Sequence, residues 1–554
     1  MENQRLFLTI ALVFVLFLLW QSWFEFQAAK YPPPATPAET AETATGGADI
    51  PQPSAAPRQD VPTVTGVQSA AEPALDSAQR VKVVTDLFEA EIDTTGGDLR
   101  HVGLLTYPRS VEQQDEPFVL LQDRGADLFI AQSGLLSSSG TAPNHYARYV
   151  PEQSEYRLAD GQESVEVNLT WEDPESDLKV IKTYTFYRDR FVINVAHRVI
   201  NQGSEAWSGS QYRQLQRTPP TQKQSAFGVY TYTGGVISTP EERYQKIGFD
   251  DMAESPLERQ VTGGWVAMIQ HYFLGAWAPD QNETNNFYTR VANGNRYILG
   301  MVGPQQVVPA GGEDSFSSQL YVGPKIQDRL EEVAPNLRLT VDYGFLTIIA
   351  QPLFWLLSAI HGVVGNWGWA IIFLTLLIKA VFFKLSETSY RSMANMRKLA
   401  PRMQTLKERY GHDRQKMNQA MMELYKTEKI NPLGGCLPIL VQIPVFIALY
   451  WMLLESVELR QAPFMLWIED LSVKDPYYIL PLIMGASMFI QQKLNPPPPD
   501  PIQAKVMMFL PLVFTVFFLW FPAGLVLYWV VNNVLSILQQ YLIIKRVEAQ
   551  SAKA

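Results

Sequence analysis

Lys379 and Thr375 are polar residues inside an apolar stretch, 367–383, that is otherwise typical of a membrane-spanning helix. A cation within such a helix costs about 2.5–3.5 kcal/mol on insertion scales unless it faces water or a partner. Thr375 lies one helical turn before Lys379, on the same face. The pair therefore predicts a polar cavity between helices. Alternatively, Lys379 is close enough to Lys384 and the helix end to snorkel to the lipid headgroups.

Further apolar stretches in the last third of the chain predict more membrane-spanning helices. The run at 6–20 predicts an N-terminal anchor, residues 1–26, and six spans in all. A cleavable signal peptide is the alternative for this run, but no clear cleavage site of small residues follows it. The C-terminal spans are predicted at 367–383, 437–454, 478–490, 506–521 and 525–544.

The distribution of charge predicts the orientation of these helices. The segment 384–429 carries more Lys and Arg than acidic residues, whereas the segment 455–475 is acid-rich. The positive-inside rule places the first segment and the C-terminal tail, 547–554, in the cytoplasm. Counting spans backward then puts the N-terminus in the cytoplasm and the region 27–345 on the outer side.

The predicted outer region has two parts. Residues 27–79 are rich in Pro, Ala and Thr and predict a flexible linker, because they have too few large apolar side chains to form a core. From residue 80 to 325, alternating apolar and polar residues are separated by turn sequences, for example at 187–190 between two alternating runs. This pattern predicts an antiparallel β-sandwich.

Composition also excludes several kinds of site. The single cysteine, Cys436, rules out a disulfide framework, and the six histidines are scattered without metal-ligand spacing. No phosphate-binding loop of the Walker type is present, so we expect no nucleotide hydrolysis. We therefore predict no metal, no cofactor and no specific recognition of nucleic acid.

A helix is predicted between the outer region and the first C-terminal span, at 340–362. Pro352 should kink it and the glycines at 362 and 365 should interrupt it, so we interpret it as an amphipathic helix at the membrane interface. A continuous membrane span is the alternative. The remainder, 363–546, is predicted to form a bundle of membrane-spanning helices.

The cytoplasmic segment 385–431 has a helix-forming composition with a break near Gly411, which predicts a helical hairpin. Its apolar positions are rich in methionine, and those of the second arm are Met417, Met421 and Met422. Flexible thioether side chains suit a surface that accepts varied partners, so we predict that these residues contact substrates. Equally, they could pack the two arms together.

Several other polar side chains fall inside predicted spans, where lipid would penalise them. They are Gln442, Asn532, Asn533 and Gln539. We expect them to face the interior of the bundle. Some could instead form hydrogen bonds between helices, an alternative that suits Asn533 best.

Three segments closely resemble signatures of the YidC/Oxa/Alb family of membrane protein insertases. They are NPLGGCLP with the following QIPVF (431–446), QAPFMLWIEDLSVKDPYYILP (461–481) and FPAGLVLYWVVNN (521–533). The resemblance covers about residues 340–545. The N-terminal anchor and large outer β domain are similar to those of the Gram-negative bacterial members, which implies a periplasmic β-supersandwich and a location in the inner membrane.

The resemblance implies that the five C-terminal spans enclose a hydrophilic groove, open to cytoplasm and lipid, with a basic residue at its centre. Lys379 falls at that basic position, where Arg is the usual residue, so the charge is kept but the bidentate guanidinium is lost. Thr375 matches another groove position, and Tyr528, a predicted groove residue, retains a hydroxyl beside Trp529. Trp529 stands where the best-known members have a tyrosine, so a hydroxyl is missing there.

The implied function is the insertion and folding of inner-membrane proteins, alone or with the Sec translocon. The implied partners are nascent membrane proteins, the ribosome, the signal-recognition-particle receptor and membrane lipids. A small-solute transporter would also place a charge in the membrane, but the five unequal C-terminal spans show no inverted repeat. A sugar-processing enzyme is a second alternative because such proteins share the β-supersandwich, yet no convergent catalytic pair is visible and we expect no enzyme.

Overall fold

The computed structural model describes residue 75 and residues 77–553, apart from 126, 139–140, 222–230, 293–294, 411–412, 429–436 and 496–500. The predicted anchor, 1–26, and nearly all of the predicted linker, 27–79, lie outside the described residues. The described residues up to Val341 form one compact unit, the β unit, and those from Asp342 onward form another, the helical unit.

The β unit contains the predicted β-rich region, and its described strands run from Arg80 to Pro324. They are β1 Arg80–Val84, β2 Phe88–Asp93, β3 Asp98–Ser110, β4 Gln113–Leu121, β5 Phe129–Ser137, β6 Val150–Pro151, β7 Glu155–Arg157, β8 Ser164–Asp173, β9 Leu178–Tyr187, β10 Val192–Asn201, β11 Trp207–Arg217, β12 Gly234–Ser238, β13 Gln245–Ile247, β14 Glu258–Thr262, β15 Trp265–Ile269, β16 Phe273–Ala278, β17 Thr284–Ala292, β18 Arg296–Val302, β19 Gln306–Val308 and β20 Glu313–Pro324.

These strands form two large sheets among the described residues. One has the order β14-β17-β18-β11-β5-β3-β2-β1-β7, with β4 and β19 paired to β3 and β11, and the other has the order β13-β12-β15-β16-β20-β10-β9-β8-β6. Neighbours are antiparallel except β1 and β7, which are parallel. The predicted turn at 187–190 connects β9 to β10, with Asp189 at φ 53°.

The two sheets pack face to face over an apolar core, so the predicted β-sandwich is confirmed. Leu135 on β5 belongs to one sheet and Val180 on β9 to the other, yet both lie in the same buried cluster. Alternate residues of a strand point to the same face of the sheet, so one face of each strand can be buried. On β8, for example, Val167 and Leu169 are both fully buried. The other buried members of the cluster are Leu178, Val199, Trp207, Val308 and Phe316.

The described helices begin in the β unit with two short elements, α1 and α2, and all others belong to the helical unit. They are α1 Phe249–Glu254, α2 Gln327–Val333, α3 Thr347–Val364, α4 Trp367–Val381, α5 Phe383–Tyr410, α6 Arg414–Thr427, α7 Leu437–Glu455, α8 Ile479–Leu494, α9 Pro501–Phe517 and α10 Ala523–Lys553. Turns of 3-10 helix lie at Leu337–Thr340, Gly344–Leu346, Val457–Leu459 and Phe518–Trp520.

Apolar helices occupy each of the spans predicted for the C-terminal region. Two segments, Gly344–Val364 and Ala523–Val547, are long and apolar enough to cross a membrane, with mean hydropathy 1.6 and 1.3. Helix α4 and the start of α5 are together long and apolar enough to cross a membrane, but the chain bends by 68° between them. The others are shorter apolar helices, so the helical membrane fold is confirmed while the number of spans stays a prediction.

Helix α3 differs in detail from the helix predicted at 340–362. It continues without interruption through Pro352 and Gly362, so the expected break at Gly362 is wrong. Proline removes only one amide donor from the helix. The space beside Gly362 is open, since nothing lies within 4 Å of a Cβ built on this residue. The helix ends where Gly365 adopts φ 70°, a left-handed conformation, and its amide donates to the carbonyl of His361.

Candidate functional site

The side chain of Lys379 connects two helices inside the helical unit. It lies in the last turn of α4, and its Nζ donates to Oγ of Ser536 on α10 at 2.7 Å. The lysine is half-buried. Within the described part of the chain, no carboxylate lies at ion-pair distance from this ammonium. The charge is therefore held by a neutral acceptor.

Ser536 is the meeting point of three helices. Its hydroxyl donates to the backbone carbonyl of Asn532, one turn earlier on α10, at 2.7 Å. Tyr390 of α5 also hydrogen-bonds to this serine. The serine hydroxyl thus accepts from Lys379 while it donates to Asn532, which a hydroxyl can do at once. Sequence reasoning selected Asn532 but missed both Ser536 and Tyr390.

Thr375 is buried one turn from Lys379 on α4, as their spacing predicts. Its side chain is 1% exposed, and its hydroxyl donates to the carbonyl of Ile371 at 2.7 Å. This bond within the helix satisfies the donor and leaves the oxygen able to accept. The threonine therefore adds a polar acceptor to the face that bears the lysine.

Tyr528 and Trp529 lie in an aromatic cluster rather than in hydrogen-bond contact with Lys379. Phe446 of α7 stacks on Tyr528, with ring centroids 6.0 Å apart, and meets Trp529 edge-on at 4.4 Å. Trp529 also contacts Phe518 at 5.2 Å. Its indole Nε1 is buried and has no hydrogen-bond partner among the described residues.

Other polar side chains of α10 hydrogen-bond to neighbouring helices. The amide of Asn533 donates to Oγ of Ser487 on α8 at 3.1 Å, which confirms the alternative that it forms hydrogen bonds between helices. Gln540 donates to Asn495 at 3.0 Å. Gln442 is half-buried on α7. Asn533 and Gln540 thus hold helices together, whereas Ser536 is the side chain that hydrogen-bonds to Lys379.

The loop 456–478 covers one end of the bundle, and Asn366 anchors it at the start of α4. The side-chain oxygen of Asn366 accepts from the amide of Trp369 and so caps the helix. Its side-chain amide donates to the carbonyls of Pro463 and Phe464 at 3.0 and 3.2 Å. One residue thus starts the helix and fixes the loop.

The same loop also covers the start of α10. The amide of Ala523 donates to the carbonyl of Val473 at 2.7 Å, and that of Gly524 donates to Leu471 at 2.9 Å. These amides would otherwise lack partners at the beginning of the helix. The loop therefore closes this end of the bundle around α4 and α10, and the acidic composition of the loop predicts that this is the outer end.

The two arms of the predicted cytoplasmic hairpin are α5 and α6, and Asp413 caps the second arm by accepting from the amides of Gln415 and Lys416. Met422 on α6 is 57% exposed, whereas Met417 and Met421 are half-buried. Methionines therefore occur both on the open surface of the hairpin and in its partly covered positions.

Two histidines of the β unit are buried and hydrogen-bonded within it. His145 contacts the hydroxyl of Tyr212 at 2.6 Å, and His197, which is fully buried, contacts Gln211 at 2.9 Å. Burial holds the pKa of His197 well below its usual value, and the cations Lys182 and Arg213 act in the same direction. In the described parts of the chain, no group of His, Cys, Asp and Glu has the arrangement of a metal site.

A β-sandwich followed by a bundle of apolar helices with a half-buried lysine defines a membrane protein that carries a large β domain. The family model described as "YidC periplasmic domain" matches residues 80–356, and that described as "60Kd inner membrane protein" matches residues 359–550. The chain belongs to the YidC family of membrane protein insertases. It is therefore an inner-membrane protein with a periplasmic domain, the region that contains the β unit.

Curated relatives match nearly the whole chain. A protein named membrane protein insertase YidC from Alkalilimnicola ehrlichii is 56% identical over 100% of this chain and 97% of the relative. Proteins of the same name from Methylococcus capsulatus and Pseudomonas putida (strain GB-1) are 53% and 55% identical, over 100% and 85% of this chain and 100% and 84% of the relatives.

Two solved structures align with this chain at low sequence identity. An active YidC insertase with its first transmembrane domain resolved has a TM-score of 0.38 and 16% identity, covering 84% of this chain and 93% of that chain. A galactose mutarotase-like protein from Lactobacillus casei has a TM-score of 0.31 and 8% identity, covering 44% of this chain and 99% of that chain.

Proposed function

We propose that this chain inserts and folds inner-membrane proteins through a hydrophilic groove, and that Lys379 supplies the positive charge of the groove. The observation that carries the proposal is the contact of Lys379 with the neutral hydroxyl of Ser536. A neutral acceptor satisfies the ammonium without cancelling its charge, so the field remains available to an acidic segment of a substrate. Membership of the insertase family supports a membrane protein as the substrate.

The groove opens to the cytoplasm and to lipid in this proposal. Tethering of the loop 456–478 to the starts of α4 and α10 supports closure at the opposite end. A polar flank of the substrate would enter beside Lys379 and Thr375, with Gln442, Tyr528, Trp529 and Asn532 as further groove residues. The apolar part of the substrate would remain against the lipid-facing helices.

The cytoplasmic hairpin makes the first contact with the substrate. Exposure of Met422 supports this role, because a flexible thioether adapts to varied apolar segments. Burial of the segment in lipid then drives insertion, and the membrane potential adds about 2.3 kcal/mol per charge per 100 mV for acidic residues that move outward. No nucleotide is required.

The partners and topology of the proposal follow from the insertase role. Nascent chains would arrive from the ribosome with the signal-recognition-particle receptor, and some would come through the Sec translocon. Both termini would lie in the cytoplasm. The helix α3 would lie at the outer membrane interface, since its exposed side chains include the apolar residues Ile348 and Trp355.

Reconstitution tests this function directly. The purified full-length chain would be placed in liposomes, and a single-span substrate added during synthesis would be tested for protection from protease. We expect protection that increases with the amount of the chain and is absent from empty liposomes. Equal protection in both would contradict the proposal, and a solute-uptake activity without protein insertion would instead favour a transporter.

A further inference from the structure

Ser536 accepts a hydrogen bond from Lys379 next to a bend in the chain. Lys379 is in the last turn of α4, and the chain bends by 68° directly afterwards between α4 and α5. A lysine at such a position can extend toward the headgroups by snorkelling. In the structure its ammonium points instead to α10 and is 2.7 Å from Ser536.

The hydroxyl of Ser536 makes other contacts besides the one with Lys379. Its proton is committed to the carbonyl of Asn532, so the oxygen presents its lone pairs to the other helices. Tyr390 hydrogen-bonds to the same oxygen from α5. The acceptor that faces Lys379 is therefore oriented before a substrate arrives, and an ammonium that left it would lose a charge-assisted hydrogen bond.

We propose that Ser536 is a positioning residue for insertion, which keeps the ammonium of Lys379 inside the bundle and away from the headgroups. This inference rests on the proposed groove function of Lys379. The serine does not contact the substrate in this account. It acts only through the lysine, so its loss should matter for substrates with an acidic flank and not for substrates with a neutral one.

The test compares Ser536→Thr with Ser536→Val in full-length protein in liposomes. Threonine and valine have nearly the same shape, and only threonine keeps the hydroxyl. The measured quantity is the ratio of insertion rates for two single-span substrates that differ only in an acidic or a neutral tail. We expect Ser536→Thr to keep the ratio and Ser536→Val to lower it roughly tenfold or more, the scale of one hydrogen bond to a charged group.

Two further variants separate positioning from packing. Ser487→Ala removes another buried serine that hydrogen-bonds to α10, through Asn533, and it should leave the ratio unchanged. When Lys379 is already replaced by alanine, Ser536→Val should lower the ratio no further. The thermal unfolding temperature in detergent should be similar for the Thr and Val variants.

The variants distinguish an error in the positioning role of Ser536 from an error in the groove charge of Lys379. If Lys379→Ala lowers the ratio but Ser536→Val matches Ser536→Thr, the positioning role is wrong and the groove charge stands. An equal loss for both substrates, or a further loss in the Lys379→Ala background, would show that Ser536 serves helix packing instead. If Lys379→Ala itself leaves the ratio unchanged, the groove charge is wrong and this inference falls with it.

Discussion

Gly368 on α4 leaves the space that the ring of Phe464 fills in the loop 456–478. A Cβ built on this glycine would lie only 2.1 Å from Cδ2 of Phe464, much closer than two carbon atoms can approach. The ring is also held edge-on against Trp369 at a centroid distance of 5.7 Å. The absence of a side chain at Gly368 therefore lets the loop pack onto the start of α4.

We predict that Gly368→Ala displaces the loop and lowers the stability of the bundle by about 1–3 kcal/mol, the usual range for overpacking. The thermal unfolding temperature of the full-length protein in detergent would report the loss. Protease cleavage within 456–478 should also become faster.

Gly362→Ala provides the matched control. It makes the same change within helix α3, where nothing lies within 4 Å of the added Cβ. Because alanine favours helix by about 1 kcal/mol over glycine, this variant should be neutral or slightly more stable. Equal destabilisation by both variants would contradict the packing role of Gly368.

The hairpin methionines differ in their surroundings, which permits a sharp comparison. Met422 is 57% exposed, whereas Met403 on α5 is half-buried and its sulfur accepts from the hydroxyl of Tyr425 at 3.3 Å. We predict that Met422→Ser reduces crosslinking of nascent chains to the hairpin without changing its stability. Met403→Ser should instead make the hairpin less stable.

Site-directed crosslinking from α6 and hydrogen exchange of residues 383–427 would measure the two effects separately. If Met422→Ser destabilises the hairpin and leaves crosslinking per folded molecule unchanged, the methionines serve packing alone. The other two positions of the predicted contact surface, Met417 and Met421, should give intermediate results because both are half-buried.

Lys182 on β9 is a buried cation whose protonation should affect the stability of the β unit. Its Nζ donates to the carbonyls of Gly96 and Ser133, at 3.0 and 2.8 Å, and so connects the two sheets. Burial lowers the pKa of Lys182 to about 8, with Asp98 opposing the shift and Arg100 adding to it. The unfolded chain therefore binds one more proton than the folded chain between about pH 8 and the ordinary lysine value.

The contribution of Lys182 to the free energy of unfolding should consequently increase as the pH rises above 8, by up to about 1.4 kcal/mol per pH unit. Hydrogen exchange of β9 in the full-length protein at pH 8 and pH 9, corrected for intrinsic rates, would measure it. Lys182→Met should remove this rise, whereas Lys179→Met, on the same strand and partly exposed, should keep it. A rise that persists in Lys182→Met would assign the effect to another group.

The β-sandwich and the apolar helices could be predicted because their signals are local. The alternation around 187–190 specifies a hairpin between neighbouring strands, and the apolar runs specify helices at each C-terminal span. The bounds of helix α3 were harder to predict, since Pro352 and Gly362 weaken a helix without preventing it. Proline and glycine are more frequent in membrane helices than in soluble ones, so their presence alone does not mark the end of an apolar helix.

The candidate site could be predicted only in part. Lys379 and Thr375 share one helix, so their spacing alone places them together. Ser536 lies 157 residues away in the sequence, and its contact with the lysine depends on how α4 packs against α10. Its place one helical turn after Asn532 was the available signal, but serine is a weak indicator because it fits many membrane helices.

In the proposed function, the charge of Lys379 acts directly on the substrate. The most direct measurement is the rate of insertion of an acidic-tailed single-span substrate into liposomes that contain equal amounts of Lys379→Arg, Lys379→Ala, Lys379→Glu or unchanged protein. We predict that Arg supports insertion, Ala impairs it and Glu is the slowest, because Glu reverses the attraction. Equal rates for Lys, Ala and Glu would contradict the claim.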